Sequence, residues 1–215
     1  MTENAQTPIA ERKQELRREL RARRREVYGA PGGAELRARE AERLLAHAAP
    51  LRALIEGLEA PLVAAFHPTS TEADVMPLAA ALAAAGAQLV FPAAAAGEQL
   101  EWISWDGRSP FRDSPGRGFG QEPDGERLGT EALRTASLVL APALAVDRSG
   151  TRIGHGAGYY DRALTTLPAH ARVVAVINPG DLLEAGSLPR DAHDIPIPEV
   201  LTADGLVSLV TSQRR

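Results

Sequence analysis

The sequence predicts an α/β fold: a single domain whose mostly parallel sheet is flanked by helices, with basic helices at the N-terminus. Three observations carry this. Short apolar runs bounded by Pro, Gly or polar residues recur at 61–68, 88–92, 137–142, 172–177 and 205–211. Helical segments separate them, and strands alternating with helices build parallel sheets. Before the first of these runs lie about fifty residues rich in Arg, Glu, Leu and Ala, all strong helix formers.

The elements follow in order. Residues 1–9 are expected to be disordered. Residues 9–27 contain neither Gly nor Pro and read as a helix, with Leu16, Leu20 and Val27 as a thin apolar stripe. The Gly/Pro cluster after Tyr28 ends it. Residues 34–58 read as a second helix with a break possible at Pro50, its Leu36, Leu44, Leu45, Leu51, Leu54 and Leu58 facing a core. PLVAAFHP reads as a buried strand, 75–85 as a helix closed by Gly86, and QLVFP as the next strand, which together make a βαβ unit. Residues 97–129 are expected to be irregular apart from a strand at LEWISW, and 106–130 to be a long loop insertion within the one domain. SLVLAP has the unbroken apolar character of a parallel strand covered on both faces. The segment AVDRSG then leads into the glycine stretch, 159–167 reads as a helix, and RVVAVI and GLVSLVT as the last two strands.

Composition excludes several functions. The 215-residue chain has no cysteine, so disulfides, thiolate nucleophiles and thiolate metal sites are absent. No apolar run approaches the roughly 18 residues of a membrane span, and the polar N-terminus lacks the apolar core of a secretion signal. A cytoplasmic protein without membrane partners, acting as a monomer, is expected. The net charge of −4 disfavours binding to polyanions. Charge is nevertheless uneven: Arg12, Lys13, Arg17, Arg18, Arg21, Arg23, Arg24 and Arg25 crowd one segment. A basic segment on an acidic body suits a small anionic ligand better than a nucleic acid.

The stretch TRIGHGAGYYDRAL alternates Gly154, Gly156 and Gly158 with other residues, directly between a strand and a helix. Loops at the carboxyl ends of parallel strands are where ligands bind in such folds. Glycines let backbone N–H groups approach an anion, and Arg152 adds charge, so the pattern reads as a phosphate cradle. By itself the pattern is equally consistent with a flexible turn. A dinucleotide fingerprint is disfavoured, because the glycine spacing differs and Asn178 stands where an acidic residue is needed; no Walker A lysine follows either.

Together with its neighbours, the stretch resembles the 5-formyltetrahydrofolate cyclo-ligase family. Arg-Ile-Gly-x-Gly-x-Gly-Tyr-Tyr-Asp after Asp147-x-x-Gly150 is similar to the family signature. So are Lys13-Gln-Glu-Leu-Arg17, the AAFHPTSTEADVMPL segment with Glu72, Phe119-Gly-Gln-Glu-Pro123, and LPRDAHDIPIPEVLT with His193 and Asp194. The matches run in order from about residue 12 to 202. The resemblance implies an ATP- and Mg²⁺-dependent ligase that cyclises 5-formyltetrahydrofolate to 5,10-methenyltetrahydrofolate. It further implies roles: Lys13 and Arg17 on nucleotide phosphates; Arg152 with Gly154, His155, Gly156, Ala157 and Gly158 around the phosphates beside the formyl group; Asp161 and Asp194 on Mg²⁺; Glu72 on the pterin; Tyr159 lining the folate site and, with Arg152, at the reacting centre. The chain departs from the pattern at His155 (an arginine in relatives), Ala157, Val75-Met76 and Asp181.

Plainer readings stand beside these. Asp161 is also placed to favour a helix dipole, Asp194 to cap a turn, and the arginine-rich helix to be a solvated face. His67 and His193 read as structural, and Trp102 and Trp105 as packing residues. Two rival functions remain: a family member with altered substrate or lost activity that still binds ATP, motivated by His155 and Val75-Met76, and a nucleic-acid binder using the basic helix.

Overall fold

The computed structural model describes residues 6–93, 99–114 and 120–209. In chain order its elements are α1 (Gln6–Tyr28), α2 (Gly33–His47), α3 (Ala49–Glu56), β1 (Leu62–Ala64), α4 (Met76–Ala84), β2 (Gln88–Ala93), β3 (Glu101–Trp105), β4 (Phe111–Asp113), β5 (Gln121–Pro123), β6 (Arg127–Gly129), β7 (Ala136–Pro142), β8 (Ala145–Asp147), β9 (Arg152–Ile153), α5 (Tyr159–Leu164), β10 (Arg172–Val176), β11 (Leu182–Leu183), β12 (Glu199–Thr202) and β13 (Gly205–Ser208). Among the described residues no helix is long and apolar enough to cross a membrane.

The main sheet has eight strands in the order β13-β12-β10-β7-β1-β2-β3-β6. Its middle, from β12 to β2, is parallel, and β13, β3 and β6 are antiparallel at the edges. The expected βαβ unit is β1-α4-β2. β7 alternates its side chains between two buried layers. Leu138 and Leu140 face a core with α2, α3 and α4, through Leu44, Leu51, Ile55, Leu78 and Leu82. Val139 and Ala141 face the other layer, with Leu133, Leu164 and Ile177. Burial on both faces is why these strands read as unbroken apolar runs. Leu140 is fully buried at the centre of the sheet. Leu140→Ala should therefore cost about 2–5 kcal/mol of unfolding free energy, measured by chemical denaturation.

The chain runs from β1 to β2 on one side, then crosses back to place β7 on the other side of β1. That reversal leaves a crevice outside the carboxyl ends of β1 and β7, the standard ligand position in open α/β sheets. Helix α1 stands apart from the main layers. Leu16 and Leu20 pack on Leu144, Ala145, Ile153 and Leu188, covering the three-stranded sheet β11-β8-β9.

Several expectations are corrected. Residues 6–9 are already helical, while 1–5 lie outside the described residues. Val27 is 43% exposed, and Arg24, at 2%, takes the inward position one turn beyond Leu20. The long second helix is two, broken at Ala48 because Pro50 sits in the first turn of α3; Leu58 falls beyond α3 and is 43% exposed. The segment 106–130 is not simply a loop: β4 and β5 form a hairpin and β6 pairs with β3. Phe111 pins that hairpin to the body, its ring 4.9 Å from Phe91 and 4.4 Å from His67. Phe119 lies outside the described residues. AVDRSG is not a plain connection, since its first residues form β8. The α5 helix ends at Leu164. The C-terminal strand ends at Ser208 and pairs antiparallel with β12; residues 210–211 of its expected range lie outside the described residues.

Candidate functional site

The crevice at the ends of β1 and β7 is a cleft of about 1090 Å³. Every site residue expected from the sequence lines it: Lys13, Arg17, Glu72, Arg152, Gly154, His155, Gly156, Ala157, Gly158, Tyr159, Asp161 and Asp194. Phe66, Pro92, Leu100, Ile153 and Ile195 add an apolar wall. His67 and His193, read as structural, also face the cleft, whereas Trp102 is buried in the core and neither tryptophan reaches the cleft.

One face of α1 forms the cationic wall. Lys13, Arg17 and Arg21 recur every fourth residue and so project together. Lys13 Nζ donates to both Asp194 carboxylate oxygens, at 2.8 and 2.5 Å. Arg17 Nε donates to the Gly154 carbonyl at 3.0 Å, and Arg21 Nη2 to the His155 carbonyl at 3.1 Å. The helix thereby ties down both loops of the cleft. Burial and then the Arg21 charge lower the Arg17 pKa, opposed by Asp194 and Asp161; a guanidinium stays protonated regardless.

The glycine spacing now has physical causes. A Cβ on Gly154 would lie 2.8 Å from Arg152 Nη1, so a side chain there would push that guanidinium from its place. Gly156 and Gly158 have φ of +112° and +68°, conformations that side chains disfavour. Gly158 turns the chain into α5, which brings Asp161 round to Arg152. Arg152 Nη2 donates to Asp161 Oδ1 at 2.9 Å and Nη1 to the Pro142 carbonyl at 3.2 Å. Arg152 Nε and the Tyr160 hydroxyl are buried without a hydrogen-bond partner among the described residues. Burial raises the Tyr160 pKa, so the phenol is a neutral donor. Arg162 lies over the Tyr159 ring at 5.2 Å and donates to the Ala157 carbonyl at 3.0 Å.

Glu72, in the loop after β1, is 5% exposed. Its Oε2 accepts the Thr69 N–H at 2.8 Å, its Oε1 meets His155 Nε2 at 2.9 Å, and Arg24 Nη1 lies 4.0 Å from Oε1. Burial pushes the carboxyl pKa up, but the His155 hydrogen bond and charge, the Thr69 N–H and Arg24 together hold it below the ordinary value. Glu72 is thus an ionised acceptor.

The sequence reading missed one pairing: Arg24 stood there only as part of the basic segment and Asp181 only as a departure from the family pattern. Arg24 Nε donates to Asp181 Oδ2 at 2.8 Å, and its Nη2 to the carbonyls of Ala143 and Leu144 at 2.6 and 3.1 Å. Asp181 also accepts Arg23 at 2.6 Å and the Asn178 amide at 3.3 Å. This buried network backs Glu72. The helical spacing Lys13, Arg17, Leu20, Arg24 is the signal that was available.

Asp161 and Asp194 face the same cleft, but each is held by a cation, Arg152 and Lys13. Among the described residues no three His, Asp or Glu side chains gather as a metal cage. The pair fits a metal that enters bound to phosphate oxygens, needing only one or two carboxylates from the protein.

Comparison with known proteins agrees with this architecture. A structure of 5,10-methenyltetrahydrofolate synthetase from Aquifex aeolicus superposes with a TM-score of 0.71 at 24% identity, over 94% of this chain and 95% of that one. A second, from Mycoplasma pneumoniae, gives 0.64 at 15% identity, over 89% and 98%. At such identities the likeness establishes the fold. A relative from Mycolicibacterium smegmatis named 5-formyltetrahydrofolate cyclo-ligase is 36% identical over 165 residues, 74% of this chain and 84% of the relative. The sequence model of the 5-formyltetrahydrofolate cyclo-ligase family matches residues 9–203, a span that takes in both the cationic face of α1 and the Asp194 loop it binds. With nearly the whole chain matched and the cleft assembled from both ends of that match, the protein belongs to the 5-formyltetrahydrofolate cyclo-ligase family and is a ligase.

Proposed function

We propose that the cleft performs the ATP-dependent cyclisation of 5-formyltetrahydrofolate to 5,10-methenyltetrahydrofolate, releasing ADP and phosphate, in a cytoplasmic enzyme. The observation that carries this reading is the meeting, in one cleft, of a cationic glycine-rich wall with a buried ionised carboxylate on an apolar wall. The first suits a polyphosphate, and the second a pterin, whose ring edge is rich in N–H donors.

The formyl oxygen is a poor leaving group. It attacks the γ-phosphorus of ATP; the new P–O bond forms as the bond to the β-phosphate oxygen breaks, releasing ADP. The N10 amine then attacks the activated formyl carbon and gives up its proton to solvent, and the C–O bond breaks with phosphate leaving. No protein nucleophile is required, so positioning and charge neutralisation dominate. Arg152 and the amides of residues 154–158 hold the transferring phosphoryl group, and Lys13 and Arg17 the rest of the triphosphate. Glu72 accepts from the pterin, and Tyr159 packs against the folate. Mg²⁺, held by Asp161 and Asp194, would supply positive charge against the phosphates.

The nucleic-acid reading is disfavoured by where the basic helix points its charge. Lys13, Arg17, Arg21, Arg23 and Arg24 are all engaged within the protein.

Mixing the protein with Mg-ATP and 5-formyltetrahydrofolate should give an ATP-dependent rise in the near-ultraviolet absorbance of the methenyl product. Folded protein that binds ATP and gives no such rise would refute the reading in favour of an altered substrate. Glu72→Gln removes the ionic acceptor and should raise the KM for 5-formyltetrahydrofolate about 10- to 150-fold, the span of a charged hydrogen bond, with nucleotide affinity much less affected.

A further inference from the structure

Glu72 and His155 come from distant parts of the chain and meet across the cleft, Nε2 to Oε1, at 2.9 Å. The two ends of this contact are unequal. Glu72 is fixed: its side chain is 7% exposed, its Oε2 takes the Thr69 N–H, and Arg24, itself anchored on Asp181, lies behind Oε1. His155 is 48% exposed and sits between two glycines on the cradle. The oxygen occupied by His155 is the one a ring N–H of a bound pterin would need, and the imidazole belongs to the loop a triphosphate would need.

We propose that His155 is a positioning residue that couples the two substrates: it covers Glu72 in the free protein, yields that carboxylate to the pterin, and turns to the nucleotide phosphates in exchange. This rests on the reading of Glu72 and the glycine loop given under the proposed function. Whichever ligand binds first must break the His155–Glu72 contact. The second finds it already broken and binds more tightly. Such coupling is reciprocal by thermodynamic necessity.

The test uses the full chain, 5-formyltetrahydrofolate and a non-hydrolysable ATP analogue with Mg²⁺, titrated calorimetrically, each alone and in the presence of the other at saturation. In the wild type each ligand should tighten the other by about 5- to 150-fold, the usual range of coupling between sites. In His155→Ala the coupling factor should fall to near one, while 5-formyltetrahydrofolate alone binds more tightly than to the wild type, because nothing competes for Glu72. A merely structural role would weaken one or both ligands and leave the coupling factor unchanged. His155→Gln keeps an N–H donor on the loop and should retain coupling. Coupling in His155→Ala equal to that of the wild type would overturn the proposal, as would wild-type binding of both ligands without coupling. A wild type that binds the nucleotide analogue but not 5-formyltetrahydrofolate would instead overturn the proposed function, and this inference with it.

Discussion

Arg152→Ala should lower turnover by a factor of about 10²–10³ or more, the scale of removing one preorganised donor to a charge that develops in the transition state. Three features support the proposed role of Arg152 at that position. It is 8% exposed yet lines the cleft, so its charge acts where water is scarce. It is held by Asp161 and the Pro142 carbonyl, so little reorganisation is needed at the moment of reaction. Its Nε is a buried donor without a partner among the described residues. Arg152→Lys keeps a charge but loses the planar fork, and should recover only part of the activity. The variant should stay folded by circular dichroism, because Asp161, with a side chain 29% exposed, gains solvent when its partner goes. Near-normal turnover in Arg152→Ala would remove it from the reacting centre.

Arg24→Ala should have the largest effect on stability, about 3–5 kcal/mol, as when one partner of a buried ion pair is removed. Among the described residues the loss leaves Asp181 with the more exposed Arg23 as its cation, and takes a donor from the carbonyls of Ala143 and Leu144. Replacing both partners with apolar residues, Arg24→Met with Asp181→Leu, should be less damaging than Arg24→Ala, since Asp181 is then not left as a buried charge without its main partner, and the remaining cost falls on Glu72. Glu72 gives the change a pH signature. A carboxyl whose folded pKa is lowered contributes stability above its ordinary pKa, and that contribution is lost as pH falls through the lowered folded value. Arg24 is one cause of the lowering. Its removal should move the Glu72 pKa upward and bring acid unfolding on at a higher pH. Urea titrations at neutral and acidic pH measure both effects. An unchanged acid profile would show that Arg24 does not support the Glu72 charge.

The central strands were legible because parallel strands covered on both faces carry runs such as SLVLAP that few other elements need. Strands β8, β9 and β11 were not, being two or three residues long and, among the described residues, paired with one another rather than with the main sheet. Strand β12 has only Val200 and Leu201 as apolar residues between Pro198 and a turn, too short a run to stand out in the sequence. The glycine cradle was legible as spacing, and the structure adds the reason for each glycine. Glu72 could not be told from any loop glutamate until a family pattern singled it out. Arg24 and Asp181 stayed hidden for a physical reason: a buried ion pair reads in sequence as two surface charges, and this one joins residues 157 positions apart. The family resemblance implied Mg²⁺ on Asp161 and Asp194, and the geometry shows each carboxylate engaged by a cation, Arg152 and Lys13.

The most direct measurement follows the oxygen atom. The protein is given Mg-ATP and 5-formyltetrahydrofolate carrying heavy oxygen in the formyl group, and the released phosphate is analysed by mass spectrometry. Phosphoryl transfer onto the formyl oxygen predicts one heavy oxygen in each phosphate formed with the methenyl product. Methenyl product accompanied by unlabelled phosphate would mean that water had received the phosphoryl group, and would contradict the account.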